Sequence, residues 1–143
     1  MNVDAGQGRV PQGAVATWQF GDPGLLDALE SVPVDRVDDL VFGLIVMDRD
    51  GGVTGYNQAE SKLSGLPVDE VVGRNFFVEI GPCTNNYLVA QRFQDAAASE
   101  AAGADLDEQL DYVFTYRMSP TPVRLRLMAR RDSARQYLAV QLR

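Results

Sequence analysis

The fold is decided by the end of the chain, which reads LDYVFTYRMSPTPVRLRLMARRDSARQYLAVQLR from Leu110 to Arg143. Large apolar residues alternate with polar ones in three successive runs, and a period of two is typical of strands with one buried face. The apolar members are Leu110, Tyr112, Phe114, Tyr116 and Met118, then Val123, Leu125 and Leu127, then Leu138, Val140 and Leu142. Short turn segments separate the runs. The pattern therefore predicts three consecutive antiparallel strands.

Two further strands are predicted upstream of a helical middle. Residues 40–47 form an almost continuous apolar run, turn residues follow, and residues 53–56 resume extended character. Asn57 can cap a helix that runs through Ser64, and residues 86–102 have the composition of a longer helix. Because helices are grouped between antiparallel strands, we expect an α+β fold. It has a central antiparallel five-stranded sheet, helices on one face and an N-terminal cap.

The length of 143 residues and the 45% hydrophobic content are those of one domain. Residues 1–21 show no periodicity and read as a flexible lead-in, so we assign the domain itself to residues 22–143. No apolar run approaches the roughly 20 residues of a membrane span, and the first residues lack the pattern of a secretory signal. We therefore expect a cytoplasmic protein that does not insert into membranes.

The composition also argues against several classes of function. The net charge of −7 disfavours nucleic acid as the main partner, because phosphate backbones are bound by clusters of Lys and Arg. The chain contains no histidine, which removes haem ligation by His, ordinary zinc-His sites and every Ser-His or Cys-His nucleophile pair. The single cysteine, Cys83, cannot form an internal disulfide. We expect neither a metal site nor an enzyme.

Three residues of the middle segment are candidates for a site, although each has an ordinary structural explanation. Glu60 follows Asn57 by three residues, which is the spacing of a capping box. Tyr56 can be a core aromatic with a satisfied hydroxyl group. A lone cysteine such as Cys83 is more often a small buried hydrophobe than a reactive thiol. No single one of these residues decides between structure and function.

Their joint pattern resembles the photoactive yellow protein family, bacterial blue-light receptors with the Per-ARNT-Sim (PAS) fold. The shared motifs are Gly55-Tyr56-Asn57-x-Ala59-Glu60, Val72-Gly73-Arg74-Asn75-Phe76-Phe77, Pro82-Cys83-Thr84 and Tyr112-x-Phe114-x-Tyr116-x-Met118-x-Pro120-Thr121. From Phe42 to Phe93 the chain aligns with the family without a gap, and the last strands follow after a short insertion. The resemblance covers about residues 22–143.

The resemblance implies a chromophore and its contacts. Cys83 would carry p-coumaric acid (4-hydroxycinnamic acid) as a thioester, while Tyr56 and Glu60 would hydrogen-bond its buried phenolate and Ser64 would orient the Tyr56 hydroxyl. The other implied contacts are Leu66, Phe76, Phe114, Tyr116 and Met118. Phe76, Phe114 and Tyr116 would wall the pocket, and Met118 would assist the return to the trans form. Leu66 departs from the best-known members, which have an arginine over the phenolate ring.

The chemistry explains why these residue types are needed. A thioester requires an accessible thiolate, which Cys83 supplies. A phenol titrates near about pH 10 and burial raises its pKa, so a buried phenolate needs donors such as Tyr56 and a protonated Glu60. By resemblance, light drives trans–cis isomerisation, Glu60 gives up its proton, and the buried carboxylate destabilises the domain. The expected signal is partial unfolding. It begins at the lead-in and at a short first helix, predicted to start at Asp22-Pro23 and run through Leu29, which pack through few apolar residues.

One alternative of another class remains, a PAS module without chromophore that serves dimerisation or regulates attached domains. Its pocket would be filled by side chains, whereas Gly55, Gly81 and Cys83 look like residues that leave room. A flavin-binding light domain is disfavoured because its Asn-Cys-Arg-Phe-Leu type of motif is missing, and a Cys83 nucleophile would lack a histidine base. The expected partner is a downstream signalling protein or a covalently attached output domain, for example that of a histidine kinase.

Overall fold

The computed structural model describes residues 18–98, 105–115 and 119–143. The strands are β1 (Gly43–Asp48), β2 (Val53–Tyr56), β3 (Leu106–Phe114), β4 (Thr121–Ala129) and β5 (Arg135–Leu142). The α-helices are α1 (Leu25–Glu30), α2 (Gln58–Ser64) and α3 (Ala90–Ala98). The remaining helical turns are 3-10 turns at Val34–Asp39, Val68–Glu70 and Pro82–Thr84 and a π-helical turn at Phe76–Ile80. Within these ranges no helix is long and apolar enough to cross a membrane.

The strands form one antiparallel sheet in the order β2-β1-β5-β4-β3. β1 and β2 make a hairpin whose turn is held by Asp48, because its Oδ1 accepts hydrogen bonds from the N–H groups of Asp50 and Gly52, each at 2.9 Å. β1 then lies beside β5, with Gly43 opposite Val140. The predicted α+β fold with a five-stranded antiparallel sheet is confirmed.

The two faces of the sheet are covered by different parts of the chain. One face packs against the middle segment, including α3, in a core that contains Ile45 and Phe93. The other face packs against α1 in a core that contains Leu44 and Leu25. Leu44 and Ile45 are neighbours in β1 and both are fully buried, because successive side chains of a strand point to opposite faces. The predicted helices on one face and the predicted N-terminal cap are confirmed, and the cap lies on the opposite face of the sheet.

The N-terminal cap is held by both apolar and polar contacts. Its buried apolar residues are Phe20, Leu25, Leu26, Leu29, Val37, Leu40 and Phe42. From β4, the side chain of Arg126 donates to the carbonyl oxygens of Phe20 and Asp22, each at 2.8 Å, and to both carboxylate oxygens of Asp107, at 2.8 and 2.9 Å. The expectation of few apolar contacts concerned the lead-in and the first helix; that helix buries Leu25, Leu26 and Leu29, and Phe20 before it joins them. Residues 1–17 of the predicted lead-in lie outside the described residues.

Three predicted boundaries differ from the observed ones. β3 begins at Leu106 rather than at Leu110, because residues 106–109 pair with residues 126–129 of β4. β1 begins at Gly43 rather than at Leu40, because the N–H group of Leu40 closes the preceding 3-10 turn. Helix α3 begins at Ala90 rather than at Asn86, whose side chain accepts hydrogen bonds from the turn before the helix. Residues 99–102 of the predicted helix lie outside the described part of the chain.

Candidate functional site

Tyr56, Glu60 and Ser64 are brought together by the junction between β2 and α2. Tyr56 ends β2, and Asn57 caps α2 by accepting a hydrogen bond from the N–H group of Glu60 at 3.0 Å. Glu60 and Ser64 are one helical turn apart and are the buried residues of α2, so both face the core. The hydroxyl group of Tyr56 donates to Ser64 Oγ at 2.7 Å. The predicted Tyr56–Ser64 contact is therefore present.

The carboxyl group of Glu60 is buried without a hydrogen-bond partner. The residue is 0% exposed, and among the described residues neither carboxyl oxygen has a donor or acceptor within reach. Its side chain does not complete the capping box, because the N–H group of Asn57 donates to the carbonyl oxygen of Leu44 instead. Since buried polar groups are nearly always paired, this group requires an explanation beyond helix capping.

The burial of Glu60 changes the acid–base chemistry of the site. Desolvation disfavours the charged form and raises the pKa of Glu60 to about 8, so the carboxyl group is mainly protonated at pH 7. Burial also raises the pKa of Tyr56 strongly, and the nearby Glu60 raises it further, while the hydrogen bond to Ser64 lowers it. Both groups therefore hold protons at neutral pH and can act as hydrogen-bond donors. Burial is the cause of the raised pKa of Glu60.

Cys83 lies in the 3-10 turn Pro82–Thr84 that follows the π-helical turn. Cys83 is a free cysteine and a half-buried residue, and its side chain packs against the core cluster that contains Tyr56, Phe76 and Phe114. The turn is closed by the Thr84 hydroxyl, which donates to the carbonyl oxygen of Gly81 at 2.6 Å. The thiol is thus on the same face of the sheet as the Tyr56–Glu60 pair.

Two of the three aromatic residues predicted to wall the pocket lie within the described part of the chain. Phe76 and Phe114 are fully buried in the same cluster as Tyr56. Tyr116 and Met118 lie outside the described residues.

The two glycines that seemed to leave room in the pocket do not do so. A Cβ at Gly55 would come within 2.5 Å of Val34, on the side of the N-terminal cap, and one at Gly81 would come within 2.8 Å of the Phe76 ring. Both glycines instead permit close packing of neighbouring side chains.

A pocket of about 380 Å³ opens beside Ser64 and Leu66. Leu66 is half-buried, and its N–H group donates to Ser64 Oγ at 3.2 Å. Arg74 also lines this pocket, but its guanidinium group contacts the carboxylate of Glu79 at 3.4 Å. Leu66 therefore contributes apolar surface and no charge beside the Tyr56–Ser64 hydrogen bond.

Sequence reasoning missed three residues that shape the site. Gly43 faces the Glu60 carboxyl group, because a Cβ at this position would lie 2.3 Å from Oε1. Tyr112 and Asn86 both donate hydrogen bonds to the carbonyl oxygen of Cys83. Tyr112 belongs to one of the motifs shared with the family and alternates with Phe114, so the face of β3 on which it lies was predictable. The acceptor of its hydroxyl group, the carbonyl oxygen of Cys83, was not.

Three comparisons identify the relatives of this chain. The family model "PAS fold" matches residues 34–143. The photoactive yellow protein of Rhodothalassium salexigens is 36% identical over 109 residues, which cover 76% of this chain and 84% of that protein. That of Halochromatium salexigens is 33% identical over 108 residues, with coverages of 76% and 83%.

A solved structure agrees with these sequence matches. The photoactive yellow protein domain from the sensor histidine kinase Ppr of Rhodospirillum centenum superposes with a TM-score of 0.69 at 35% identity, covering 82% of this chain and 97% of that domain. The sequence matches and the structural match cover most of both partners. The chain therefore belongs to the photoactive yellow protein family, whose members have the PAS fold.

Proposed function

We propose that the chain is a blue-light photoreceptor that carries p-coumaric acid as a thioester on Cys83. One observation carries the proposal: the carboxyl group of Glu60 is 0% exposed and has no hydrogen-bond partner among the described residues. Its burial raises its pKa to about 8, so that it is mainly a donor at neutral pH. An unpaired buried donor costs about 1–3 kcal/mol unless something accepts its hydrogen bond. A phenolate oxygen beside Glu60 would be that acceptor.

The residues present fit such a group at both of its ends. At the phenolate end, Ser64 can turn its hydroxyl hydrogen toward the Tyr56 oxygen, which frees Tyr56 to donate elsewhere, because hydroxyl groups rotate to suit their partners. Tyr56 and Glu60 then supply two donors. At the other end, Cys83 is half-buried and lies against the same apolar cluster as Tyr56. Phe76 and Phe114 supply dry walls.

Attachment requires one acyl transfer to Cys83. The thiol loses its proton to solvent, and the thiolate attacks the carbonyl carbon of an activated p-coumaric ester. A carbon–sulfur bond forms, while the bond to the leaving group breaks and that group departs with the electron pair. The part of Cys83 that reaches solvent permits this reaction, and the packing of its side chain against the core directs the product inward.

When bound, the p-coumaroyl group supplies absorption of visible light and trans–cis isomerisation. The protein then responds through Glu60, which gives its proton to the phenolate oxygen and is left as a carboxylate in an apolar interior. A buried charge without a partner costs several kcal/mol, which is a large part of the stability of a small domain. The Glu60 carboxyl group lies against Gly43, the first residue of β1. The residue before Gly43 is Phe42, which belongs to the cap and packs edge-on against Phe20, with ring centroids 5.9 Å apart. This path supports release of the cap as the signal.

The proposed partner is an output domain or a downstream signalling protein. The similar domain from Rhodospirillum centenum is part of a sensor histidine kinase, which supports covalent attachment to an output domain. The competing function is a chromophore-free PAS module that regulates its partner without light. It is favoured by one observation, namely that Phe76 fills the space at Gly81 beside the cysteine turn.

The experiment that tests the proposal is a visible spectrum recorded after incubation with an activated ester of p-coumaric acid. Wild-type protein is compared with Cys83→Ala, and each sample is then exposed to a blue flash. We expect a band far to the red of free p-coumaric acid, absent in Cys83→Ala, that bleaches and recovers. A free thiol and no band in the wild type would reject the photoreceptor and favour the chromophore-free module.

A further inference from the structure

The carbonyl oxygen of Cys83 is held by two side chains from different parts of the chain. The hydroxyl group of Tyr112 donates to it at 2.5 Å, and the side-chain amide of Asn86 donates to it at 3.1 Å. The same amide of Asn86 donates to the Tyr112 hydroxyl at 2.7 Å, which closes a triangle of hydrogen bonds. We call this triangle of Cys83, Asn86 and Tyr112 the cysteine clamp.

The clamp supplies donors to a carbonyl oxygen that the local turn leaves without one. Within the turn, the N–H groups of Thr84, Asn85 and Asn86 donate to the carbonyl oxygens of Gly81, Pro82 and Thr84 in that order. The carbonyl oxygen of Cys83 lies between these positions and receives its hydrogen bonds from the clamp instead. Because a buried or half-buried carbonyl group without a donor is costly, the clamp stabilises this orientation of the peptide group, whose N–H side, at Thr84, is held by the turn.

The clamp also connects the cysteine turn to two rigid elements. Tyr112 lies in β3, and its ring packs edge-on against Phe114 with centroids 6.1 Å apart. The Asn86 Oδ1 atom accepts hydrogen bonds from the N–H groups of Leu88 at 3.0 Å and Val89 at 3.2 Å, just before α3. One amide side chain therefore joins the cysteine carbonyl, the sheet and the start of a helix.

We propose that Tyr112 and Asn86 are positioning residues for the Cys83 thiol. They hold the peptide group next to the sulfur atom, so the thiol has one orientation toward the core and a restricted exposure to solvent. The second part of the inference rests on the proposed function: with the chromophore attached, the clamp is the fixed point against which its change of shape exerts force on the protein. A fixed anchor retains strain after illumination and thereby drives the return to the dark state.

The thiol itself provides a test that needs no chromophore. We compare the rates at which a neutral alkylating reagent, iodoacetamide, modifies Cys83 in wild type, Tyr112→Phe and Asn86→Ser between pH 6 and 9. Phenylalanine keeps the ring against Phe114, and serine keeps an oxygen that can cap the turn before α3. We expect both variants to react about fivefold faster across the pH range, the factor that corresponds to one lost neutral hydrogen bond.

A matched control comes from the same segment. Tyr87 is 76% exposed, so Tyr87→Phe removes a phenolic hydroxyl from a tyrosine four residues after Cys83 and outside the clamp. It should alkylate at the wild-type rate. The thermal midpoint of each variant separates a loosened cysteine turn from a loss of overall stability, since only the former leaves the midpoint within a few degrees of wild type.

The same proteins carrying p-coumaric acid provide the second readout. After a blue flash, we expect Tyr112→Phe and Asn86→Ser to recover about fivefold more slowly than wild type and Tyr87→Phe. If both variants alkylate and recover at the rates of Tyr87→Phe, the inference that the clamp positions the thiol is wrong. If they alkylate faster but recover at an unchanged rate, the clamp has no role in the light response. If Tyr112→Phe does not fold, Asn86→Ser decides alone. If wild type forms no Cys83-dependent band, the proposed photoreceptor fails, while alkylation still decides whether the clamp exists.

Discussion

The carboxyl group of Glu60 lies directly against the backbone of Gly43. A methyl group on residue 43 would come within 2.3 Å of Glu60 Oε1 and 3.2 Å of its Cβ atom. Gly43 opens β1 and pairs with Val140 of β5, so it is fixed by the sheet and cannot move away easily. The missing side chain at this position therefore provides the room that the buried carboxyl group occupies.

Gly43→Ala is predicted to displace Glu60 and destabilise the domain. The backbone of residue 43 is part of a strand, where alanine is allowed. The effect therefore comes from overpacking, which typically lowers the free energy of unfolding by about 1–3 kcal/mol. Urea unfolding measures this loss. In the chromophore-loaded protein the visible band should also shift, because the Glu60 donor moves.

The control for this prediction is Gly21→Ala, since a Cβ at Gly21 would meet no atom within 4 Å. It should change the free energy of unfolding by less than about 0.5 kcal/mol. Equal stability of the two alanine variants would show that Glu60 does not need the space at Gly43.

Glu60 is also predicted to make the chromophore-free protein less stable as the pH rises. Its pKa is raised from the ordinary 4.5 to about 8, so between these values the folded state binds more protons than the unfolded state. Stability from the neutral carboxyl group is therefore complete below about pH 4.5 and is lost as the pH rises to about 8. This difference between the pKa values of the unfolded and folded states corresponds to roughly 5 kcal/mol in the free energy of unfolding.

The measurement is the free energy of unfolding at several pH values between 5 and 8, for wild type and Glu60→Gln. Glutamine imitates the protonated side chain and cannot ionise, so the other titrating groups contribute equally to both proteins. We expect the stability of wild type to fall relative to the variant as the pH rises. Parallel curves over this range would mean that Glu60 is not buried in the chromophore-free protein.

The sequence was informative wherever a contact depends on local spacing. Tyr56, Asn57, Glu60 and Ser64 are close in sequence, and the end of a strand followed by a capped helix brings their side chains together. Gly43 could not be placed beside Glu60 in this way, because that contact depends on how β1 packs beneath α2. The local rule also failed once, since Glu60 has capping-box spacing while its carboxyl group faces the core.

Long-range polar contacts were equally hidden. The carbonyl oxygen of Cys83 meets the Tyr112 hydroxyl across 29 positions of the chain, and no periodicity predicts which donor a backbone oxygen receives. Arg126 alternates with Leu125 and Leu127 in β4 and therefore points to the opposite face of the sheet. It is 3% exposed, because the cap folds over β4 and its backbone carbonyl groups accept hydrogen bonds from the guanidinium group.

Leu66 is predicted to raise the pKa of the bound phenol relative to an arginine at the same position. Leu66 lines the pocket beside Ser64, and a guanidinium group there would favour the phenolate through its positive charge. Leu66→Arg should therefore lower the pH midpoint of the visible band by about 1 unit, a change typical of a nearby opposite charge. Titration of the band in chromophore-loaded protein measures the midpoint.

Leu66→Met is the control, because it keeps an uncharged side chain of similar volume. Its midpoint should equal that of wild type. The recovery rate after a flash should also differ between Leu66→Arg and Leu66→Met, since the charge stabilises one protonation state of the phenol. Identical titration and recovery in the two variants would remove any role for charge at this position.

Arg126 is predicted to hold the N-terminal cap against the sheet. Its side chain is 4% exposed and joins the Asp107 carboxylate to the carbonyl oxygens of Phe20 and Asp22. Arg126→Met would leave all three acceptors without this donor, which should cost about 2–4 kcal/mol because they are partly or fully shielded from water. The loss should appear first in the cap, since the sheet keeps its backbone hydrogen bonds.

Hydrogen exchange at the N–H groups of Leu25 and Ala28 reports on the cap, because they donate to the carbonyl oxygens of Asp22 and Gly24. In Arg126→Met these amides should exchange at least tenfold faster. Arg124→Met is a matched control from the same strand: Arg124 pairs with Asp111 at 3.0 Å, but both side chains are about half exposed. Such a surface pair contributes about 0–1 kcal/mol, so cap exchange should stay near wild type. Equal exchange in the two methionine variants would show that the apolar residues hold the cap without Arg126.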